Sequence, residues 1–173
     1  MIRSLELVSF SNRVEILAGD TRPTSRRREN DRTHGQGMTS QIVVAAALVQ
    51  NATGELLLVR KRGTDSFMLP GGKIEPGETP LQALARELRE ELGTTFQSLQ
   101  ARFLGVFTTA AAHEPDHDVV AHLLAVNLES DANPGAEIAE MIWADILQAH
   151  SFPLAPLVTK AILPIVRTMR SAR

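Results

Sequence analysis

The sequence predicts an α/β protein in which a mixed β-sheet lies between α-helices, an α/β/α arrangement. Three observations support this class: strand-like segments precede a strongly capped helix, further strand-like segments follow it, and a second helical run ends the sequence. With 173 residues, 43% of them hydrophobic, the chain is long enough for one domain with a sizeable core.

The first 37 residues differ in composition from the rest. They contain seven of the 18 basic residues and five of the 20 acidic ones, so they carry 7 − 5 = +2, and residues 38–173 carry 11 − 15 = −4. After Leu17 they lack a sustained apolar pattern. We therefore expect a basic, flexible extension over 1–37 and a folded domain over 38–173. The run Arg26-Arg27-Arg28 fits a solvated tail better than a phosphate contact.

Composition also limits the partners and the compartment. The formal charge of −2 gives the whole chain no nucleic-acid-binding signature, so we do not expect a nucleic acid partner. The longest apolar run, 42–49, is far shorter than the about 20 residues that span a membrane, and no secretory signal is apparent. The absence of cysteine excludes disulfides and fits a reducing compartment. These observations predict a soluble, cytoplasmic protein.

The segments before the helix have strand-like patterns. Residues 41–50 are apolar on both faces, which predicts a central strand. A turn signal over 51–54 separates them from a second strand over 55–62, and together they predict a hairpin. Residues 66–69 form a short extended piece, and the Pro-Gly-Gly sequence at 70–72 should then interrupt regular structure.

The clearest helix spans 80–92. Thr79 is a favourable N-cap, Pro80 suits the first helical position, and Gln82 completes a capping box with Thr79. Gly93 supplies the C-terminal stop. Apolar residues recur at the spacing of a buried stripe; they are Leu81, Leu84, Ala85, Leu88 and Leu92.

Beyond this helix the pattern returns to strands. We expect them over 101–109, 119–128 and 141–144. The loop over 110–118 is polar and rich in His, Asp and Glu. The sequence ends in a helical run over 154–169, which Pro164 should kink or restart.

Three glutamates share one face of the central helix. Glu87, Glu90 and Glu91 stand at i, i+3 and i+4, so their side chains gather within about one helical turn. A solvated acidic face is one interpretation. The other is a Mg²⁺ site, because clustered carboxylates on a rigid element suit a hard cation, and a glycine-rich loop directly precedes the helix.

The loop and helix, LPGGKIEPGETPLQALARELREELGT, resemble the Nudix box. The pattern of that family is G-x5-E-x7-R-E-U-x-E-E-x-G-U, where U is a bulky aliphatic residue. Its fixed positions are occupied by Gly72, Glu78, Arg86, Glu87, Leu88, Glu90, Glu91 and Gly93. Thr94 at the last U position is the one departure. The box covers 72–94, and the resemblance extends over most of 40–169.

The resemblance implies a Nudix fold and hydrolysis of a nucleoside diphosphate linked to another moiety, with Mg²⁺ or Mn²⁺ as the cofactor. The implied metal ligands are the Gly72 carbonyl, Glu87, Glu90 and Glu91. Glu78 and Arg86 would form an ion pair that fixes the loop to the helix, with Arg86 orienting Glu87. A small-molecule nucleotide is the expected partner, and the resemblance is compatible with a homodimer.

Several residues are candidates for the general base. Glu87 is our first choice, and Glu90 and Arg86 are placed with it among the catalytic residues. Outside the box, Glu137 precedes Trp143 by six residues, as in many relatives. The 113–118 loop offers Glu114, Asp116 and His117, although a solvated connection is the simpler interpretation. We expect His122 to pack on the sheet face and Trp143 to lie in the core.

The residues before the box resemble the MutT-like group of the family. Leu57–Arg60 and Phe67–Lys73 carry this likeness, and that group cleaves nucleoside triphosphates, some of them oxidised as in 8-oxo-dGTP, to a monophosphate and pyrophosphate. The candidate substrate-binding residues are Arg60, Arg62, Phe67, Gly71 and Lys73. Solvated charge is the alternative for the two arginines, and packing under the loop is the alternative for Phe67.

Two other functions stay open. An ADP-ribose or nucleotide-sugar pyrophosphatase would keep the same site with another substrate, although the proline typical of many ADP-ribose pyrophosphatases is missing after the box. A non-catalytic nucleotide-sensing module is the alternative of another class. Such modules usually lose box glutamates, and this chain has lost none.

Overall fold

The structure of the chain, a computed structural model, describes residues 40–145 and 152–171. All of these belong to one compact unit, residues 37–173. The predictions made for residues 1–37 lie outside the described residues. Within the described ranges, no helix is long and apolar enough to cross a membrane.

Six strands and two α-helices form the described part of the fold. The strands are β1 (Ser40–Leu48), β2 (Leu56–Lys61), β3 (Gly71–Lys73), β4 (Arg102–Ala110), β5 (His117–Ala125) and β6 (Ile138–Ala144). The helices are α1 (Pro80–Leu92) and α2 (Leu163–Ser171). β5 and β6 begin earlier than the sequence pattern indicated.

The larger sheet has four strands in the order β3, β1, β5, β4. β1 and β5 are parallel, whereas β3 and β4 pair antiparallel with their neighbours, so the sheet is mixed as predicted. β1 lies between two strands, which confirms the central position expected from its apolar residues.

The predicted hairpin of the first two strands is wrong. β2 pairs antiparallel along its length with β6 in a separate two-stranded sheet, and its start meets the chain after β1 through a bridge between Gln50 and Leu56 and a hydrogen bond from the Leu57 N–H to the Val49 carbonyl. The reason is that β2 is buried on both faces: Leu57 and Val59 pack with α1, whereas Leu56 and Leu58 pack with the C-terminal helical segment. Pairing with β6 places the strand between these two clusters.

Successive residues of β1 alternate between the same two hydrophobic clusters. Ala45 and Ala47 pack on the side of α1, and Ala46 and Leu48 pack on the side of the C-terminal helical segment. Because neighbouring strand residues point to opposite faces, helices cover both faces of the sheet. This confirms the α/β/α class.

Helix α1 begins and ends as predicted. The Thr79 hydroxyl accepts a hydrogen bond from the Gln82 N–H, and the Gln82 side-chain oxygen accepts one from the Thr79 N–H. Gly93 ends the helix in the left-handed conformation, with φ 61°. Of the predicted stripe, Leu84, Leu88 and Leu92 are fully buried and Leu81 and Ala85 are partly buried.

The C-terminal helical run is interrupted beside Pro164, as predicted. A π-helical segment, Val158–Ile162, precedes α2, and the Leu163 N–H donates to the Val158 carbonyl. Pro164 has no N–H and cannot make the regular helical hydrogen bond, so the wider turn falls where the regular pattern fails.

Candidate active site

The Pro-Gly-Gly sequence does not interrupt regular structure, in contrast to our prediction. Gly71 and Gly72 begin β3, which pairs with β1 opposite Ala46 and Ala45. Gly71 has φ 137°, and a Cβ there would overlap the Ala45 carbonyl oxygen. Only glycine allows so close an approach of the two strands, and the Gly71 N–H then donates to Glu91 near the C-terminal end of the box helix.

Gly72 then places the loop directly against α1. A Cβ on Gly72 would overlap the Glu87 carboxylate, so that carboxylate lies against the glycine backbone. Gly72 does not have a positive φ. The requirement for glycine at this position is therefore space for Glu87, and it is not a special backbone conformation.

Arg86 joins the loop to the helix through five side-chain contacts. Its Nε and Nη2 donate to the two carboxylate oxygens of Glu78, each at 2.9 Å, and Nη2 also donates to the Lys73 carbonyl at 3.0 Å. Its Nη1 donates to Glu87 Oε1 at 2.8 Å and lies 3.5 Å from Glu90 Oε2. The hydrogen bonds from Arg86 lower the pKa of Glu78 to about 2. The ion pair implied by the resemblance is thus present in the structure.

The three helix glutamates differ sharply in exposure. Glu90 is 61% exposed and Glu87 is 13% exposed, whereas only 2% of the Glu91 side chain is exposed. Glu91 Oε2 accepts a hydrogen bond from the Gly71 N–H at 2.8 Å, and Oε1 lies 2.7 Å from Lys61 Nζ. Burial raises the pKa of the Glu91 carboxyl, and the Lys61 charge partly opposes that rise.

The donor chemistry of these glutamates fits a hard divalent cation, because carboxylate oxygens are the ligands that Mg²⁺ and Mn²⁺ prefer. Across the described ranges, no three acidic or His side chains lie close enough together to hold an ion as they stand. Glu87 and Glu90 face Arg86, and Glu91 faces Lys61. Binding a metal therefore requires carboxylates to exchange these contacts for the ion.

A second loop closes the C-terminal end of α1. The Asn133 N–H donates to the Leu92 carbonyl at 2.8 Å, and the Gly135 N–H donates to the Glu91 carbonyl at 2.6 Å. A Cβ on Gly135 would overlap the Glu90 carbonyl oxygen. The loop is therefore fixed to the turn of the helix that carries two of the glutamates.

This second loop leads directly to Glu137. The Glu137 side chain is exposed, and its backbone carbonyl accepts a hydrogen bond from the Arg62 N–H at 2.8 Å. Burial lowers the pKa of Lys61, but the charge of Glu91 and weaker contributions from Glu87 and Glu137 raise it overall. Glu137 therefore acts electrostatically on the same lysine that contacts Glu91.

The predicted substrate-binding residues lie in different surroundings. Arg60 pairs with Glu140 at 3.0 Å, and its guanidinium lies 5.9 Å from the centre of the Phe67 ring. Phe67 is 4% exposed and belongs to the cluster of the C-terminal helical segment, so it packs under the loop and does not line an open pocket.

The other candidates lie closer to the surface. Arg62 is exposed and its Nε donates to the Ala136 carbonyl at 2.7 Å. Gly71 and Lys73 begin and end β3, and Lys73 is exposed.

The acidic loop after β4 lies far from the Gly72 loop along the sheet. His117 pairs with Ser40 at the start of β1, whereas Gly72 pairs with Ala45. At about 3.3 Å per residue, these pairing positions are about 17 Å apart along the strand. The candidate bases in this loop, Glu114, Asp116 and His117, are thus less well placed than Glu87 or Glu137.

Trp143 is not a core residue, and that prediction is wrong. It is 41% exposed near the end of β6, and it lines an open groove of about 620 Å³ with Gln50 and Asn127. His122 is half-buried on the sheet face, with its ring centre 6.2 Å from that of Phe103, as expected for a packed histidine.

Sequence reasoning missed the contact between Lys61 and Glu91, although the sequence contains the signal. Leu57, Val59 and Lys61 alternate on one face of β2, and the first two pack with α1. Glu91 stands three residues after the buried Leu88, so it continues the buried stripe. The alternation along β2 and the helical spacing along α1 together place Lys61 and Glu91 opposite each other.

Comparison with known proteins agrees with this geometry. The sequence profile of the NUDIX domain matches residues 40–165. The 8-oxo-dGTP diphosphatase of Escherichia coli (strain K12) is 32% identical over 129 residues, which cover 69% of this chain and 95% of that protein. An RNA pyrophosphohydrolase of Halorhodospira halophila is 50% identical over 46 residues, 27% of this chain and 25% of that protein.

The fold has relatives among solved structures as well. The crystal structure of the MutT protein from Methanosarcina mazei Go1 superposes with a TM-score of 0.62 at 22% identity, covering 77% of this chain and 97% of that one. The profile match over residues 40–165 contains the glycine loop, the Arg86 contacts and all three helix glutamates. The chain therefore belongs to the Nudix hydrolase family, as one of its MutT-like members.

Proposed function

We propose that this Nudix hydrolase uses Mg²⁺, or Mn²⁺ in its place, to cleave a nucleoside triphosphate, unmodified or oxidised, to a monophosphate and pyrophosphate. The observation that carries the proposal is the placement of Glu87, Glu90 and Glu91 on one turn beside the glycine backbone. The 32% identity to an 8-oxo-dGTP diphosphatase, over nearly all of that protein, supports the choice of substrate class. The cysteine-free composition supports a cytoplasmic location.

The residues that would hold the metal are the three glutamates and the Gly72 carbonyl. A bound divalent cation supplies positive charge that neutralises the phosphates and lowers the pKa of a coordinated water. Arg86 holds the Glu87 carboxylate beside Gly72 through a 2.8 Å hydrogen bond, and the carboxylate would exchange this contact for the ion.

Hydrolysis forms one P–O bond from water and breaks one P–O bond of the anhydride, and the two products are the monophosphate and pyrophosphate. We assign Glu87 as the group that accepts the proton of the attacking water, because its carboxylate lies against the Gly72 backbone. Glu137 is the second candidate, since it is exposed at the edge of the same site. Lys73 and Arg62 are exposed and are our candidates for contacts with the phosphates.

The test is a pyrophosphate-release assay coupled to inorganic pyrophosphatase, with and without Mg²⁺, on unmodified and oxidised nucleoside triphosphates. ADP-ribose and nucleotide sugars are assayed in parallel with a phosphatase, which detects monoester products. Mg²⁺-dependent release from a triphosphate is the expected result. Activity only on ADP-ribose or a nucleotide sugar would show that the proposed substrate class is wrong. Folded protein without activity on any of these substrates would favour a nucleotide-sensing module.

Charge removal at the helix tests the assigned site. We expect Glu90→Gln and Glu91→Gln each to lower turnover by at least about 10²-fold, by analogy with the loss of a charge-stabilising group. Glu129→Gln is the matched control, because Glu129 is exposed and lies outside this constellation. Wild-type turnover in both helix variants would show that the metal site is wrongly assigned.

A further inference from the structure

We propose that Lys61 is a positioning residue that holds the Glu91 carboxylate in the site while no metal is bound, and that it competes with the metal for that carboxylate. This inference rests on the proposed function and assigns a role to a residue outside the box. It goes beyond the metal ligands, because it concerns what the ligands contact before the cation arrives.

The first support is the placement of Lys61 by the fold. β2 carries Leu57 and Val59 into the cluster with α1, and Lys61 continues that face at the end of the strand. The register between β2 and β6 shifts between Arg60 and Lys61, so the lysine ends the regular pairing. Its ammonium thus extends from the end of β2 to α1, where it lies 2.7 Å from Glu91 Oε1.

The second support is the burial of Glu91. An ionised carboxylate that is only 2% exposed requires a compensating charge and hydrogen bonds. Gly71 supplies one hydrogen bond to Oε2 at 2.8 Å, and Lys61 supplies the charge at Oε1. Within the described ranges, Lys61 is the one cationic side chain paired with Glu91.

The third support is the crowding of negative charge around this ammonium. Glu91 contacts Lys61, and Glu87 and Glu137 are near enough to act on it electrostatically. The singly charged Lys61 ammonium therefore lies among three carboxylates, two of which, Glu87 and Glu91, are assigned to the metal. A divalent ion bound to the same carboxylates is repelled by the ammonium, which is the physical basis of the competition.

The experiment compares Lys61→Met and Lys61→Arg with the wild type in two measurements, thermal unfolding in EDTA and Mn²⁺ binding by calorimetry. We expect Lys61→Met to lower the Tm in EDTA by at least about 3 °C, because Glu91 loses its partner. The same variant should bind Mn²⁺ at least about fivefold more tightly, because the competing charge is gone. Lys61→Arg should restore both values toward the wild type.

The opposite signs separate this role from simple structural support, which would weaken metal binding together with stability. Lys160→Met is the matched control, because Lys160 is exposed on the C-terminal helical segment and should change neither value. If Lys61→Met does not fold, Lys61→Gln carries the same measurements with a polar side chain.

The outcomes also separate the two proposals. Wild-type protein that binds no Mn²⁺ would overturn the proposed metal-dependent function and the competition with it. Wild-type protein that binds Mn²⁺, with equal or weaker binding in Lys61→Met, would overturn the role of Lys61 alone.

Discussion

Two adjacent glycines of the loop serve different physical purposes. Gly71 needs both its positive φ of 137° and its missing Cβ, because the Ala45 carbonyl occupies the space where a side chain would lie. Gly72 needs only space, because the flexible Glu87 side chain is what a Cβ would meet. One glycine thus supports the sheet, and the other leaves space for the Glu87 carboxylate.

Alanine at each position should therefore give separable results. We expect Gly72→Ala to displace the Glu87 carboxylate and lower turnover at least about tenfold, with a Tm within a few degrees of the wild type. Gly71→Ala should lower the Tm by more, because backbone must move against backbone. Thermal melts and a turnover assay of both variants check this, and a reversed order of Tm values would contradict it.

Glu78 makes a pH-dependent contribution to stability. Its pKa is lowered to about 2 by the hydrogen bonds from Arg86, so the folded state favours the ionised form. The contribution is present above the ordinary carboxyl value and is lost as the pH falls through about 2.

We therefore expect the Tm of the wild type to exceed that of Glu78→Gln above about pH 5, and the difference to shrink toward zero near pH 2. Melting curves of both proteins over this range are the measurement. A difference that stays constant with pH would mean that the ion pair does not account for the effect.

At the scale of elements, the box helix is the part that local sequence determines best. The capping box, Pro80 and Gly93 each act within a few residues, and all three appear in the structure as the sequence predicts. The pairing of β2 could not be predicted in this way, because its partner β6 is distant in sequence and only burial on both faces hints at it. Gly71 likewise looked like an interruption, since its strand is only three residues long.

Loss of the cap should cost stability without changing the chemistry. Thr79→Ala removes the hydroxyl that accepts the Gln82 N–H, and we expect a loss of about 1 kcal/mol in the free energy of unfolding. Thr79→Ser keeps the hydroxyl and serves as the control. Urea unfolding of the three proteins measures the difference, and equal stability of Ala and Ser variants would show that the cap contributes nothing.

At the scale of the whole molecule, the site is assembled from segments distant in sequence. α1 supplies the glutamates, β2 supplies Lys61, and the loop before β6 supplies Glu137. The spacing of the box glutamates was visible in the sequence, but the burial of Glu91 and its pairing with Lys61 depend on tertiary packing. The exposed Trp143 was missed for the same reason, since its exposure depends on which residues pack around the end of β6.

The basic extension should be dispensable for catalysis. The profile match and the described elements both begin at residue 40, and no assigned site residue precedes Arg60. We expect a chain started at Met38 to keep its Tm within a few degrees and its kcat/KM within about twofold of the full chain. A large loss of kcat/KM with an unchanged melt would instead assign the extension a role in substrate binding.

The pairing of β2 with β6 has a consequence for the order in which the molecule is made. Leu56 pairs with Ala144, so β2 finds its partner only after most of the chain has left the ribosome. Until then, a nascent chain carries the residues of the box helix, while β2 lacks the strand with which it pairs. Closing this long loop is slow compared with forming the helix, so we expect the contact between Lys61 and Glu91 to form late in folding.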